Sequence, residues 1–157
     1  MFIEGTGNVR VNEGTPTLAF PFPSEDIAWP LLAPRRDTGK YVMGIFEGGS
    51  KANGIEVQGV SAWTTPKKVV AALGKESGQN VAFYPIPADA FEKIMIGARG
   101  EQVGKELTEM FVLIGEYNYY GKGSEKEQSE SDKWLLPGAE VITYEQWAKE
   151  SGPKKFA

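Results

Sequence analysis

The chain has 157 residues, of which 41% are hydrophobic and 24% are charged, and its formal net charge is −4 at pH 7. This length and composition are typical of one globular domain, and the acidic balance argues against nucleic acid or an anionic membrane as the main partner, because both attract clustered Lys and Arg. Histidine and cysteine are absent, which excludes disulfides and His-dependent triads and argues against a zinc site, so no metal is expected.

The first third of the chain predicts a hairpin, a loop and a helix. Residues 9–23 read as two extended segments around the turn Asn12-Glu13-Gly14. A proline-rich, irregular loop follows over residues 21–34. Asp37 is a candidate N-cap for a helix that ends at Gly48-Gly49.

The middle of the chain alternates between strand and helix signals. Residues 55–60 alternate between apolar and polar side chains, which predicts a strand with one buried face. Thr65 caps the next helix with Pro66 at its first position, and Gly78 ends it. Residues 81–86 form a further strand-like run.

The last third predicts more helix. A helix restarts near Asp89 and is broken by Gly97 and Gly100, and an amphipathic helix begins at Glu101. The charged stretch 122–133 has no apolar residue and predicts a mobile surface loop. Thr143 and Gln146 form a capping-box pattern that opens a short helix with Trp147 inward. The whole chain, 1–157, is therefore predicted to be a single α/β (α+β) domain with a small mixed sheet and packed helices.

Two glycine-containing segments lack the context of a phosphate-binding loop. Gly5-Thr6-Gly7 has no strand before it and no helix after it, and Gly48-Gly49-Ser50-Lys51 does not have the Walker order. No cofactor is therefore expected. The N-terminus has no signal-peptide pattern, and no apolar run approaches the roughly 20 residues of a membrane span, so we expect a cytosolic protein without a membrane partner.

Three residues are candidates for proton transfer: Asp26, Glu116 and Tyr119. Asp26 lies in the rigid proline-rich loop, and Glu116 stands beside several tyrosines at the end of an amphipathic helix, where an apolar pocket would suit an acid or base. The alternative is that Asp26 caps a turn and the tyrosines pack at the helix end with their hydroxyls in water. Candidate substrate-binding residues are Phe20, Phe22, Trp29, Phe91, Met95, Phe111, Tyr117 and Tyr120.

Five short segments together resemble the NmrA-like family. Asp37-Thr38-Gly39-Lys40-Tyr41-Val42 is similar to its Asp-Thr-Gly-Lys-Phe-Val segment, and Ile86-Pro87-Ala88-Asp89-Ala90-Phe91 to its Ile-Pro-Ala-Asp-x-Phe turn. Counterparts also exist, in the same order, for the segments 64–70, 119–121 and 143–147. Each motif alone is weak, but five in register across nearly the whole chain are fairly specific.

The resemblance is to the C-terminal, substrate-binding half of these atypical short-chain dehydrogenase relatives, without the N-terminal Rossmann half that binds NAD(P). It implies that the face normally covered by the missing half is exposed and apolar. Large apolar patches are rarely left bare on a soluble protein, so we expect a homodimer or a partner chain across that face.

Three functions fit these expectations. The first is cofactor-independent, non-redox chemistry on a small, mostly apolar organic metabolite, such as isomerisation, cyclisation, dehydration or rearrangement, driven by Asp, Glu and Tyr proton transfer. The second is a non-catalytic metabolite-sensing or protein-docking regulatory domain. The third is a reductase subunit completed by a separate Rossmann chain. Retention of the cleft segments favours the first, and the Asp26/Glu116 pair discriminates, because two solvent-facing carboxylates would favour sensing or docking.

Overall fold

The computed structural model describes residues 3–7, 9–152, 154 and 156, so both ends of the predicted 1–157 domain lie outside the described residues. The fold is mixed α/β, as predicted. The strands are β1 (Arg10–Asn12), β2 (Thr15–Phe20), β3 (Trp29–Leu31), β4 (Ala62–Thr64) and β5 (Ala82–Pro85). The helices are α1 (Pro34–Gly48), α2 (Pro66–Ser77), α3 (Ala88–Arg99), α4 (Glu101–Tyr117), α5 (Gln128–Asp132) and α6 (Tyr144–Ser151). Single 3-10 helices cover Ile3–Gly7, Gly49–Ala52 and Ser124–Glu127.

The larger sheet has the order β1-β2-β5 and is mixed. β1 and β2 form the predicted hairpin, whose turn residues Glu13 and Gly14 both have positive φ (49° and 81°), as a tight two-residue hairpin turn requires. β2 pairs in parallel with β5, with Leu18 opposite Phe83. β3 and β4 form a separate antiparallel pair.

The predicted helix boundaries are confirmed where a local cap sets them. Thr65 Oγ1 accepts a hydrogen bond from Lys68 N at 3.2 Å before α2, and Gly78 ends that helix in the left-handed conformation at φ 68°. Both bonds of the capping box are present before α6: Gln146 N donates to Thr143 Oγ1, and Thr143 N donates to Gln146 Oε1.

The strand predicted over residues 55–60 is wrong, because β4 forms further along the chain at Ala62–Thr64. The backbone of Gln58 is bonded to side chains rather than to a neighbouring strand. Gln58 N donates to Ser131 Oγ at 2.9 Å, and Gln58 O accepts from Gln128 Nε2 at 3.1 Å. Since these side chains satisfy the backbone groups, the segment needs no ladder partner.

The proline-rich loop predicted over residues 21–34 contains a short strand, β3, at its buried end. Leu31 O accepts from Ser61 N at 2.8 Å, and Ala33 N donates to Ser61 Oγ at 2.8 Å. The loop is thus joined to β4 by backbone pairing as well as by its apolar side chains.

Asp37 is not the N-cap of α1, because the helix begins at Pro34 after Ala33. The Asp37 side chain is fully buried and accepts from Lys40 Nζ at 2.6 Å and from Ile142 N at 3.1 Å. Burial acts to raise the pKa of Asp37, but hydrogen bonds, with that from Lys40 foremost, outweigh it and hold the pKa below the ordinary value. The carboxylate joins α1 to the chain before α6.

α3 and α4 form a tight helical hairpin. Gly97, expected to break α3, lies inside the helix, whereas Gly100 ends it with a φ of 86°. The two helices approach closely at Gly104, where a Cβ would stand 2.5 Å from Ile96 N. No helix among the described residues is long and apolar enough to cross a membrane.

The charged stretch 122–133, expected to be a loop, is largely helical: it holds the 3-10 helix Ser124–Glu127 and α5. Ser124 and Ser131 are buried in it. Polar side chains bind this segment to the domain through hydrogen bonds. The sequence pattern did not predict these helices, because hydrophobic periodicity detects only elements that pack through apolar side chains.

One hydrophobic core joins the sheet and the packed helices. Trp147 lies in it, as the capping-box pattern predicts. Its most buried members are Ile3, Leu18, Phe22, Trp29, Leu31, Val69, Leu73, Ile142, Tyr144 and Ala148.

Candidate functional site

Most of the aromatic residues expected to bind a substrate pack on one another. Phe20 is the centre of the group: its ring centroid lies 5.4 Å from that of Phe22, 5.1 Å from Trp29, 6.0 Å from Phe91 and 4.8 Å from Phe111. The Phe20–Phe22 pair is stacked and the other three are edge-to-face or tilted, and stacked and edge-to-face contacts at these distances are common geometries of aromatic pairs. The ring faces are therefore engaged in packing within the core.

Met95 is half-buried on α3 and packs against the same core. The structure thus brings six of the expected substrate-binding residues together. Their shared role in the structure is to close the core between β2, β3 and the α3–α4 hairpin.

The two carboxylates expected to transfer protons face solvent. The Asp26 side chain is 68% exposed, and its Oδ1 lies 3.9 Å from Lys67 Nζ. Its backbone N donates to Ser24 Oγ at 3.1 Å, so the side chain that accepts a hydrogen bond in this turn is that of Ser24 rather than that of Asp26. Glu116 is exposed on α4. Neither carboxylate lies in the apolar surroundings expected of a general acid.

Three tyrosines at the end of α4 form an exposed aromatic surface, called here the tyrosine surface: Tyr117, Tyr119 and Tyr120. Their exposed fractions lie between 40% and 58%. Tyr119 and Tyr120 meet edge to face with centroids 4.9 Å apart, and Tyr120 meets Trp63 edge to face at 6.3 Å. The pKa of Tyr120 is raised, mainly by partial burial and to a smaller extent by the electrostatic effect of Tyr119.

The backbone around the tyrosine surface is held in a restricted conformation. α4 ends at Tyr117 because Asn118 turns to a φ of 61° while its N–H donates to Ile114 O at 2.9 Å. With a ψ of 166°, this conformation lies in a positive-φ region that residues other than glycine rarely adopt. Gly121 follows with a φ of 99°. Tyr119 and Tyr120 lie between these two positive-φ residues, and both are exposed.

A polar network lies beneath the tyrosine surface, and Gln128 is its centre. Trp63 Nε1 donates to Gln128 Oε1 at 2.8 Å, and Gln128 Nε2 donates to Asp132 Oδ1 at 2.8 Å and lies 3.3 Å from the Tyr41 hydroxyl. The Tyr41 hydroxyl lies 2.9 Å from both Val60 O and Asp132 Oδ1. Burial, reinforced by Asp132, raises the pKa of Tyr41.

Sequence reasoning missed this network. Its members come from three separate segments, and Gln128 lies in a stretch whose composition resembles a solvated loop. The Trp63 side chain was the one signal available, since a buried indole N–H usually finds an acceptor.

The N-terminal glycines do not form a phosphate cradle. Residues 3–7 are a 3-10 helix, and Thr6 Oγ1 donates to Ile3 O at 2.7 Å and lies 2.8 Å from the Tyr144 hydroxyl. A dinucleotide fingerprint needs a strand, a glycine turn and a helix N-terminus in this order, so these residues do not fit NAD(P). Within the described part of the chain, no group of three or more acidic side chains could hold a metal ion.

Comparisons with known proteins agree with this architecture. The model of the NmrA-like family matches residues 4–148. The crystal structure of NmrA, a negative transcriptional regulator, in complex with NAD is similar with a TM-score of 0.64 and 23% sequence identity. The NmrA structure in complex with NADP is similar with a TM-score of 0.62 and 24% identity. No curated protein matches the chain.

Both comparisons cover 90% of this chain but 44% of the solved one, so this chain spans less than half the length of those relatives. This extent agrees with the expected correspondence to one half of a family member. Together the family model, which matches most of the sequence, and the mixed α/β fold show that the chain belongs to the NmrA-like family.

Proposed function

We propose that this chain is a non-catalytic, protein-docking regulatory domain that acts in the cytosol and binds its partner through the tyrosine surface. The observation that carries the proposal is the division of the aromatic residues. Phe20 and its neighbours pack on one another in the core, whereas Tyr117, Tyr119 and Tyr120 are exposed at the surface. The solvent-facing positions of Asp26 and Glu116 favour the same function.

Tyrosine is well suited to such a surface. It offers a large contact area with few rotatable bonds, and Tyr, Trp and Arg are enriched among the residues that dominate binding energy at interfaces. Leu113, which is exposed one turn before Tyr117 on α4, extends the apolar area.

The support of the tyrosine surface also favours docking. Tyr120 rests on Trp63, which Gln128 holds by a 2.8 Å hydrogen bond. A surface already ordered before binding loses less conformational entropy when a partner arrives. The similar NmrA structures are described as those of a negative transcriptional regulator, which is consistent with a regulatory role.

Cofactor-independent isomerase, cyclase or lyase chemistry has less support. It requires an acid or base beside a bound substrate, but Asp26 lies near Lys67 in solvent, and Glu116 is exposed. The experiment described next therefore also tests whether a small apolar metabolite binds at the tyrosine surface.

The test compares partner capture by the wild-type chain, by a triple variant and by a matched control. The triple variant carries Tyr117→Ser, Tyr119→Ser and Tyr120→Ser, and the control carries Tyr84→Ser, an exposed tyrosine on β5. Cytosolic proteins of the source cell are captured and quantified by mass spectrometry. We expect at least one stoichiometric partner that the triple variant loses and the control retains.

Two results would contradict the proposal. Equal capture by the wild-type chain and the triple variant would remove the tyrosine surface as the docking site. A small molecule of defined mass that copurifies with the wild-type chain and is lost in the triple variant would assign the surface to a metabolite.

A second candidate function rests on the length comparison. The chain spans 44% of NmrA structures that are described as complexes with NAD and NADP, so it could form a reductase with a separate Rossmann chain. Native mass spectrometry with NADP tests this directly. NADP uptake only after the second chain is added would support the reductase, and uptake by neither species would exclude it.

A further inference from the structure

The outer face of α1 is an apolar surface that the proposed function does not use. Val42, Met43 and Phe46 lie on it with exposed fractions of 41%, 49% and 72%. The opposite face is buried through Asp37 and Tyr41. The solvent-facing side of a surface helix is usually polar, and contiguous apolar side chains on that side are unusual in a soluble protein, because exposing apolar surface to water is unfavourable.

This outer face has a symmetric pattern about its middle. In a helix, residues three, four and seven positions apart share one face, so Gly39, Val42, Met43 and Phe46 are neighbours on it. Gly39 precedes Val42 by the same three positions by which Phe46 follows Met43. An antiparallel second copy of α1, centred between Val42 and Met43, would therefore place each Phe46 opposite the Gly39 of the other copy.

The space at Gly39 suits this pairing. Beyond its chain neighbours and the backbone of its own helix, a Cβ built at Gly39 meets no atom of the described residues within 4 Å, so the position is open to an incoming side chain. Small residues let two helices approach closely, and a bulky ring opposite a glycine gives the interdigitation of large and small side chains found in packed helix pairs.

The charges on α1 are complementary in the same orientation. Arg35 is exposed near the N-terminal end and Glu47 near the C-terminal end, and neither forms an ion pair within the described residues. In the antiparallel arrangement the two positions are offset by about 4.5 Å along the axis at 1.5 Å per residue, which is within reach of an arginine side chain. In a parallel pair, each Arg35 would face the other Arg35.

We propose that the outer face of α1 is a homodimer interface, in which two copies of α1 pack antiparallel about a two-fold axis between Val42 and Met43. Phe46 of each copy packs over Gly39 of the other, and Arg35 of each copy pairs with Glu47 of the other. Such an interface is self-complementary, as two-fold symmetry requires.

Sedimentation velocity of the wild-type chain between about 1 and 100 μM provides the first test, and we expect a monomer–dimer equilibrium in this range. Val42→Glu places a carboxylate at the centre of the interface and should weaken dimerisation by about 30-fold or more, the effect of losing a central contact. Val103→Glu is the matched control, because Val103 on α4 is exposed to a similar extent, 44%, and it should leave dimerisation unchanged.

Gly39→Leu tests the close approach without disturbing the monomer. A Cβ at position 39 has free space in a single chain, and leucine is a better helix former than glycine. We therefore expect a melting temperature at or above that of the wild type together with loss of the dimer.

A charge-reversal pair tests the antiparallel orientation. Arg35→Glu and Glu47→Arg should each weaken the dimer, because each places like charges together, and the double variant should restore it. A parallel dimer would gain nothing from the double variant, since identical residues would still face each other.

Three results would overturn the interface. They are a monomer at 100 μM, a Val42→Glu variant that dimerises like the wild type, and a double variant no better than the single ones. Because these variants leave the tyrosine surface intact, partner capture through that surface succeeds or fails independently of dimerisation.

Discussion

The ring of Trp134 lies directly on Gly48 of α1: a Cβ at position 48 would stand 2.6 Å from Trp134 Cζ3. One turn earlier, a Cβ at Gly44 would overlap the carbonyl of Trp134 and the start of the next peptide. Leu136 N donates to Lys40 O at 2.9 Å on the same side of the helix. The two glycines therefore allow the segment after α5 to lie flat against α1.

Gly44→Ala should destabilise the domain. The added methyl group meets backbone rather than a flexible side chain, so the segment at Trp134 must move away from α1, at a cost of about 1–3 kcal/mol. Urea denaturation measures this change. Gly39→Ala on the same helix is the control, since its methyl group has free space and should stabilise the fold by about 0.5–1 kcal/mol. Equal effects at both positions would contradict the close contact.

Asp37→Asn should lower the free energy of unfolding by about 1.5–3 kcal/mol, the usual cost of disrupting a buried hydrogen bond to a charged group. The amide cannot replace the carboxylate as the acceptor from both Lys40 Nζ and Ile142 N. Asp89→Asn provides the comparison, because Asp89 is exposed on α3 and its contact with Lys93 is 3.6 Å long; its effect should be close to zero. A wild-type stability in the Asp37 variant would show that the carboxylate is dispensable.

The same carboxylate should make stability depend on pH. The folded-state pKa of Asp37 is lowered from its ordinary value of 3.8. Its contribution is therefore complete above the unfolded-state pKa of about 3.9 and is lost as pH falls through the folded-state pKa. The difference in unfolding free energy between the wild type and Asp37→Asn should be constant from pH 7 to about 5 and shrink below pH 4. A difference that stays the same down to pH 3 would contradict this assignment.

Gln128→Ala should loosen the segment 122–133 and the support of the tyrosine surface. It leaves Trp63 Nε1 without its 2.8 Å acceptor and removes the amide that lies between Tyr41 and Asp132. An unpaired, partly buried donor costs about 1–3 kcal/mol. We expect faster hydrogen exchange at Gln58 and a change in tryptophan fluorescence.

The control for this variant is Gln102→Ala, because Gln102 is exposed on α4. Its exchange rates and fluorescence should match those of the wild type. Unchanged exchange at Gln58 in Gln128→Ala would show that Ser131 alone holds this backbone segment.

Prediction from sequence succeeded or failed according to how far apart the interacting residues lie. The Thr65 cap, the Gly78 end of α2 and the capping box at Thr143 are settled by residues within about four positions, and all three are confirmed. The strand expected over residues 55–60 failed because Gln58 bonds to side chains 70 and 73 positions away. An alternating pattern reports which side chains are apolar but does not reveal where the backbone groups find partners.

The candidate site divides in the same way. The sequence pattern treated the aromatic residues as one candidate group, but burial separates them into the packed rings around Phe20 and the exposed tyrosines at the end of α4. The spacing of residues in the sequence could not distinguish these two sets, because the same aromatic residue types occur both in cores and on surfaces.

The sequence by itself determined the caps of α2 and α6, the β1–β2 turn, the mixed α/β class and the family, because these depend on local conformational preferences and on short segments in order. The tertiary structure decided the role of Asp37, which reaches Ile142 across 105 positions, and the role of Gln128, which reaches Trp63 across 65. It also decided which aromatic rings face water. These outcomes depend on hydrogen bonds and packing between distant segments, whose energies exist only once the chain has brought those segments together.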